Sequence, residues 1–220
     1  MTQFAVRPTI TFCQTAKEFA AAAALGPKDL LFTNDFLYDP YFAPLGLSCP
    51  VLFQEKYGLG EPTDEMVEAI YRDMPKEVER IVAVGGGTVL DVAKILALKH
   101  VSPVLDLYDG KAPLEKGRAL VLVPTTCGTG TEVTNISILS LLSRRTKKGL
   151  TGACLFADQA VLIPELLQGL PFPFFATSSI DALIHAIESS LSPKANEITK
   201  LFGYRAIEKI LTGYLAIRDH

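Results

Sequence analysis

The stretch RIVAVGGGTVLDVAKILAL, residues 80–98, decides the fold. From Ile81 its apolar character is continuous rather than alternating, as a strand buried on both faces requires. Gly85, Gly86 and Gly87 follow, and then a helical pattern with Val89, Val92, Ala93 and Leu96 on one face. Glycines at a strand-to-helix junction let a phosphate approach the backbone, and the helix N-terminus offers free amides and a positive dipole end. The run matches neither the GxGxxG fingerprint nor a P-loop, so an ordinary tight turn stays open as the alternative.

Working outward, apolar runs recur at DLLFT (29–33), PVLFQ (50–54), ALVLV (119–123) and QAVLI (159–163). The opening MTQFAVRPTITFC (1–13) alternates like a further strand. Helical patterns lie between the runs, among them TDEMVEAIYRDM (63–74), with Thr63 or Asp64 as N-cap and acids in its first turn. Alternating strands and helices predict an α/β fold, a Rossmann-like, mostly parallel, doubly wound sheet. After Pro173 the strand signals stop, and residues 176–218 read as two helices with Pro193 between them and Thr177 to Ser179 as cap candidates. The expected division is an α/β domain over 1–170 and the start of a helical domain over 171–220.

Of the 220 residues 49% are hydrophobic, enough for a substantial core, and the formal net charge of −3 offers no footprint for nucleic acid or an anionic membrane. No apolar run approaches the roughly 20 residues that span a bilayer, and the N-terminus lacks the features of a signal peptide. The four cysteines stand apart, without CxxC spacing, so reduced thiols and a cytoplasmic location are expected.

Two further stretches carry chemistry. VPTTCGTGTEVTN (123–135) follows a strand and is dense in hydroxyls and glycines, which suit a pyrophosphate, a ribose or a carboxamide, although a solvated loop has a similar composition. Within it Cys127, with no histidine nearby in sequence, reads as a small packing residue. SSIDALIHAIES (178–189) sets Asp181 and His185 four apart on a helix, beside an apolar stripe of Ile180, Leu183, Ile184, Ile187 and Leu191. On residue types alone that pair is a hydrogen-bonded structural pair or two ligands of a divalent metal.

In their order and spacing GGGTVLDVAK, PTTCGTGTEVT and IDALIHAIES resemble the iron-containing (group III) alcohol dehydrogenase family, and the likeness runs the length of the chain. CGTGTEVTNIS, ADQAVLIPELL and the LPF before SSIDALIHAIES look most like its 4-hydroxybutyrate dehydrogenase branch, which interconverts 4-hydroxybutyrate and succinate semialdehyde. The resemblance implies a dehydroquinate synthase-like α/β dinucleotide domain followed by an all-helical metal-binding domain. It implies NAD or NADP as cofactor, Fe2+ or Zn2+ as metal, a small alcohol or aldehyde as substrate, and a homo-oligomer.

Carried over by position, Gly86, Gly87, Thr88 and Asp91 would meet the pyrophosphate and the nicotinamide ribose. Thr125, Thr126, Thr129 and Thr134 would line the nicotinamide and adenosine sides, and Lys147 would reach a ribose. Asn34 stands where the family usually places an aspartate that reads the adenosine ribose. Asp181 and His185 would be catalytic metal ligands. The family's two further histidine ligands lie later than this chain extends, so a truncated protein is expected. The two rival readings are a dehydroquinate synthase-like cyclising enzyme and a non-catalytic nucleotide-binding fragment.

Overall fold

The structure, a computed structural model, describes residues 5–218. The strands are β1 (Thr9–Phe12), β2 (Asp29–Thr33), β3 (Val51–Phe53), β4 (Arg80–Gly85), β5 (Ala119–Pro124), β6 (Ile136–Leu141), β7 (Thr146–Thr151) and β8 (Gln159–Leu162). The helices are α1 (Ala16–Ala23), α2 (Asp35–Tyr41), α3 (Asp64–Asp73), α4 (Gly87–Leu96), α5 (Val104–Tyr108), α6 (Glu165–Gln168), α7 (Phe172–Leu191) and α8 (Glu197–Arg218). The chain divides into two compact units. One runs to Thr125 and resumes over Thr131–Gly169, and the other takes Thr126–Gly130 with the described residues from Leu170 onward.

The first unit holds a six-stranded sheet in the order β1-β8-β5-β4-β2-β3, in which every pairing is parallel. Its inner strands are buried on both sides, which explains their unbroken apolar runs. Leu30, Phe32, Ile81, Ala83, Leu120 and Leu122 face the core formed with α3 and α4. Their alternates Leu31, Val82, Val84, Val121 and Val123 face the core that contains Phe19 and Phe42. Thr63 caps α3 as its sequence suggests, its hydroxyl accepting from the Met66 amide.

From β2 the chain moves outward to β3, returns to β4 beside β2, and then proceeds the other way through β5 to β8. The winding therefore reverses between β2 and β4. Crevices at the carboxyl ends of strands at such a reversal are where open α/β sheets bind ligands, and both Asn34 and the glycine turn lie there.

An antiparallel hairpin of β6 and β7, with Ile136 opposite Thr151 and Leu141 opposite Thr146, has no counterpart among the expected strands. Its polarity is inverted where it meets α4: Ser137 is buried and Ile138 exposed. Ordinary alternation is thereby masked.

In the second unit α7 and α8 pack through small residues. Ser179, Ala186, Ser190 and Gly203 are buried, and a Cβ at Gly203 would strike the Ser190 hydroxyl. Thr177 to Ser179 are not the expected caps. The helix starts earlier, at Phe172, with Pro173 in the first turn where its missing N–H costs little. The hydroxyls bond back to the preceding turn, Thr177 to Pro173 O and Ser179 to Phe175 O. The apolar stripe is not turned inward: Ile180, Ile184, Ile187 and Leu191 are exposed.

Leu122, fully buried in the middle of β5, tests the core assignment. Leu122→Ala should lower unfolding free energy by about 2–5 kcal/mol. Leu142→Ala, at the exposed hairpin turn, should stay within about 0.5 kcal/mol. Urea titration of both variants provides the comparison.

Candidate functional site

The glycine turn is built by close approach. A Cβ at Gly85 would lie 2.8 Å from the Val89 side chain and 3.1 Å from Asn34 Oδ1, so only hydrogen fits where β4 passes into α4. Gly86 is the N-cap of α4 with no side chain hydrogen-bonding the first turn, and Gly87 is the first helical residue. The first amides of this ten-residue helix point to the carboxyl edge of the sheet without a capping side chain. The Thr125 amide donates to Gly85 O at 3.1 Å, tying the end of β5 to the same turn.

Several side chains expected at the cofactor are held by the protein itself. Thr88 Oγ1 donates to Gly60 O at 2.8 Å, and Lys147 pairs with Glu61 at 2.5 Å, both groups half-exposed. Asn34 Nδ2 donates to Gln54 Oε1 at 2.9 Å and to Glu55 Oε1 at 2.8 Å. Asn34 is thus a buried amide bridging β2 and the turn after β3, with the Glu55 carboxylate beside it. The other oxygen of Glu55, Oε2, is buried without a hydrogen-bond partner.

Asp91 is likewise engaged. Its Oδ1 accepts from the Thr131 hydroxyl at 2.5 Å, its Oδ2 from the Ile138 amide at 3.0 Å, and its carbonyl from Ser137 Oγ at 2.8 Å. One turn on, Lys94 is fully buried. Its ammonium donates to Thr131 Oγ1 at 2.7 Å, Thr134 Oγ1 at 3.0 Å and Ile136 O at 2.7 Å, and lies 3.8 Å from Asp91. Burial brings the Lys94 ammonium down to about 8, against the pull of Asp91 and Glu132. Burial also raises the Asp91 and Glu132 carboxyls. Lys94 went unnoticed in the sequence. The signal was an Asp and a Lys three apart within an otherwise apolar helix.

Thr126 and Thr129 belong to the second unit with Cys127 and Gly128. A Cβ at Gly128 would lie 2.6 Å from Ser178 O, and Cys127 Sγ is 3.2 Å from Ser178 Oγ, so this loop packs on α7. On α7 Asp181 Oδ1 lies 3.5 Å from His185 Nε2, and Glu188 Oε2 lies 3.9 Å from His185 Nδ1. The Asp and His side chains are 47% and 59% exposed. No group of three His, Cys, Asp or Glu able to hold a metal occurs among the described residues. A catalytic metal takes three protein ligands, and the Asp181–His185 pair by itself falls short of that number.

Residues 10–164 match the model of the family described as iron-containing alcohol dehydrogenase. The chain belongs to the iron-containing alcohol dehydrogenase family. It is 51% identical over 209 residues to 4-hydroxybutyrate dehydrogenase of Clostridium kluyveri, a match covering 94% of this chain and 56% of that protein. It is 35% identical over 202 residues to long-chain-alcohol dehydrogenase 1 of Geobacillus thermodenitrificans, covering 84% of this chain and 50% of that one. Among solved structures, sulfoacetaldehyde reductase of Bifidobacterium kashiwanohense in complex with NAD+ superposes with a TM-score of 0.82 at 26% identity, over 96% of this chain and 58% of that one. The chain thus spans little more than half the length of these iron-containing alcohol dehydrogenase relatives. All four cysteines are free, and no helix among the described residues is long and apolar enough to cross a membrane.

Asn34→Asp would remove both donated hydrogen bonds and set a second carboxylate against Glu55. It should lower unfolding free energy at pH 7 by about 1–3 kcal/mol. Adding Glu55→Gln should recover part of that loss, and a double-mutant cycle in urea measures the coupling.

Proposed function

We propose that this chain carries the dinucleotide-binding part and two metal ligands of an NAD-dependent, metal-dependent alcohol dehydrogenase that interconverts 4-hydroxybutyrate and succinate semialdehyde. The observation that carries the dinucleotide reading is the glycine turn at the reversal of the winding. There β4 passes tightly into α4 through Gly85, and the first α4 amides carry no capping side chain. The substrate rests on the 51% identity with 4-hydroxybutyrate dehydrogenase, and iron or zinc on the carboxylate and imidazole of Asp181 and His185. The further donors of that metal come from outside the described residues. Free thiols at all four cysteines suit a reducing compartment such as the cytoplasm.

In this reading the amides of Gly87 and Thr88 receive a pyrophosphate, since a helix N-terminus holds negative charge. A bound nicotinamide supplies the hydride acceptor for the alcohol carbon, and the donor to the aldehyde in reverse. Lys147 and Thr88 turn from Glu61 and Gly60 O toward the ribose. Thr125 and Thr134 line the path of the nucleotide, and Asp91 holds the loop that carries Thr134. The Glu55 carboxylate, beside Asn34, supports NAD over NADP, because a 2′-phosphate there would meet a like charge.

The chain should bind NADH, and Gly86→Asp, which sets a side chain and a negative charge against the phosphates, should weaken binding at least about tenfold, or 1.4 kcal/mol. Titration calorimetry of both proteins decides this, and equal affinities would sink the site. Glu55→Gln should move the NADP to NAD affinity ratio upward by roughly tenfold. With 4-hydroxybutyrate, NAD and added Fe2+ or Zn2+, the chain alone should not reduce NAD. Sustained turnover would show that the two-donor reading of the metal site is wrong.

A further inference from the structure

The segment that follows the threonine loop is fastened to α4 by one buried polar cluster. Lys94 donates three hydrogen bonds, to Thr131, Thr134 and the Ile136 carbonyl. Asp91 takes two more from Thr131 and the Ile138 amide, and Ser137 donates to the Asp91 carbonyl. All the ammonium protons and both carboxylate oxygens are thereby used inside the protein. An alkyl-ammonium with no exposed surface is costly to bury, and the hydrophobic neighbours Val89, Leu90 and Val92 show that an apolar side chain would suit the helix here. The cluster has a directional consequence. Thr134 is not free to wander, and β6 is anchored at its first three residues rather than only by pairing with β7.

We propose that Lys94 is a positioning residue of the dinucleotide site, and that with Asp91 it clamps the Thr131–Ile138 segment to α4 before any cofactor arrives. This deepens the dinucleotide reading above and rests on it. Asp91 then acts through the loop it holds, and a direct contact with the nicotinamide ribose is not its role. The clamp depends on charge. A neutral amine donates only two hydrogen bonds and no longer attracts Asp91, so raising the pH through the range where Lys94 loses its proton loosens the segment. The charged groups around the ammonium are Asp91 on its own helix and Glu132 at the start of the segment, with Tyr108 facing Asp91 from α5.

The test is NADH affinity of the 220-residue chain between pH 7 and pH 9.5, a range in which NADH itself does not titrate. Wild type should weaken several-fold across that range. Lys94→Met should bind about tenfold more weakly than wild type at pH 7 and vary less than twofold with pH. Ser137→Ala, which removes one neutral hydrogen bond and leaves the charges in place, should weaken binding two- to threefold and keep the wild-type pH dependence. Hydrogen exchange at the Ile138 amide should accelerate in both variants, and at high pH should depart from the intrinsic rate law in wild type and Ser137→Ala but not in Lys94→Met. A folded Lys94→Met with wild-type affinity overturns the inference. So does a wild-type affinity that is flat in pH, a measurement that stands even where Lys94→Met does not fold. If wild type fails to bind NADH while Ile138 is protected in a Lys94-dependent way, the dinucleotide reading fails and the positioning role fails with it. If wild type binds, Gly86→Asp does not, and Lys94→Met behaves as wild type, the site stands and this inference alone falls.

Discussion

At the end of β4 there is room for a hydrogen atom and nothing more. Val89 and the Asn34 oxygen close on Gly85 from two sides, and that closeness fixes how α4 leaves the sheet. The remaining features of the first unit follow from it. With α4 set at that angle, its apolar face fills the core beneath β4 and β5, and its two charged residues, Asp91 and Lys94, meet the segment leading into β6. The first amides of the helix are left without a side-chain cap at the carboxyl edge. Local geometry thus sets packing, and packing sets which polar groups are spare for a ligand.

Much of the sheet was legible in the sequence because strands buried on both faces must be apolar throughout. DLLFT, RIVAV and ALVLV could hardly be anything else, and the structure places strands on each of them. The hairpin of β6 and β7 was not legible, and the reason is chemical. Ser137 is turned inward to reach the Asp91 carbonyl while Ile138 faces solvent, so hydrogen bonding reverses the pattern that hydrophobicity would write. The start of α7 was missed for a related reason. Thr177, Ser178 and Ser179 look like caps by composition, yet their hydroxyls serve carbonyls of a helix already under way.

The candidate site was legible in its glycines and obscure in its side chains. A glycine announces a steric demand that few other residues meet, so Gly85 to Gly87 point to the carboxyl edge without help from the rest of the chain. A threonine, asparagine or lysine announces only hydrogen-bonding capacity. Which partner takes it depends on residues far along the chain, such as Gln54 and Glu55 for Asn34, Gly60 for Thr88 and Glu61 for Lys147. Likewise, the spacing of Ile180, Ile184 and Ile187 marks an apolar stripe, but periodicity says nothing about what covers it.

The position of β1 carries a consequence for biosynthesis. Among the described residues this strand forms one edge of the sheet and pairs only with β8, Thr9 lying opposite Gln159. On a ribosome adding about 5–20 residues per second, its partner emerges roughly eight to thirty seconds after β1 itself. The nascent chain therefore completes the β2, β3 and β4 ladder first and admits its N-terminal strand last, so early arrest of translation leaves a sheet that lacks both β8 and β1.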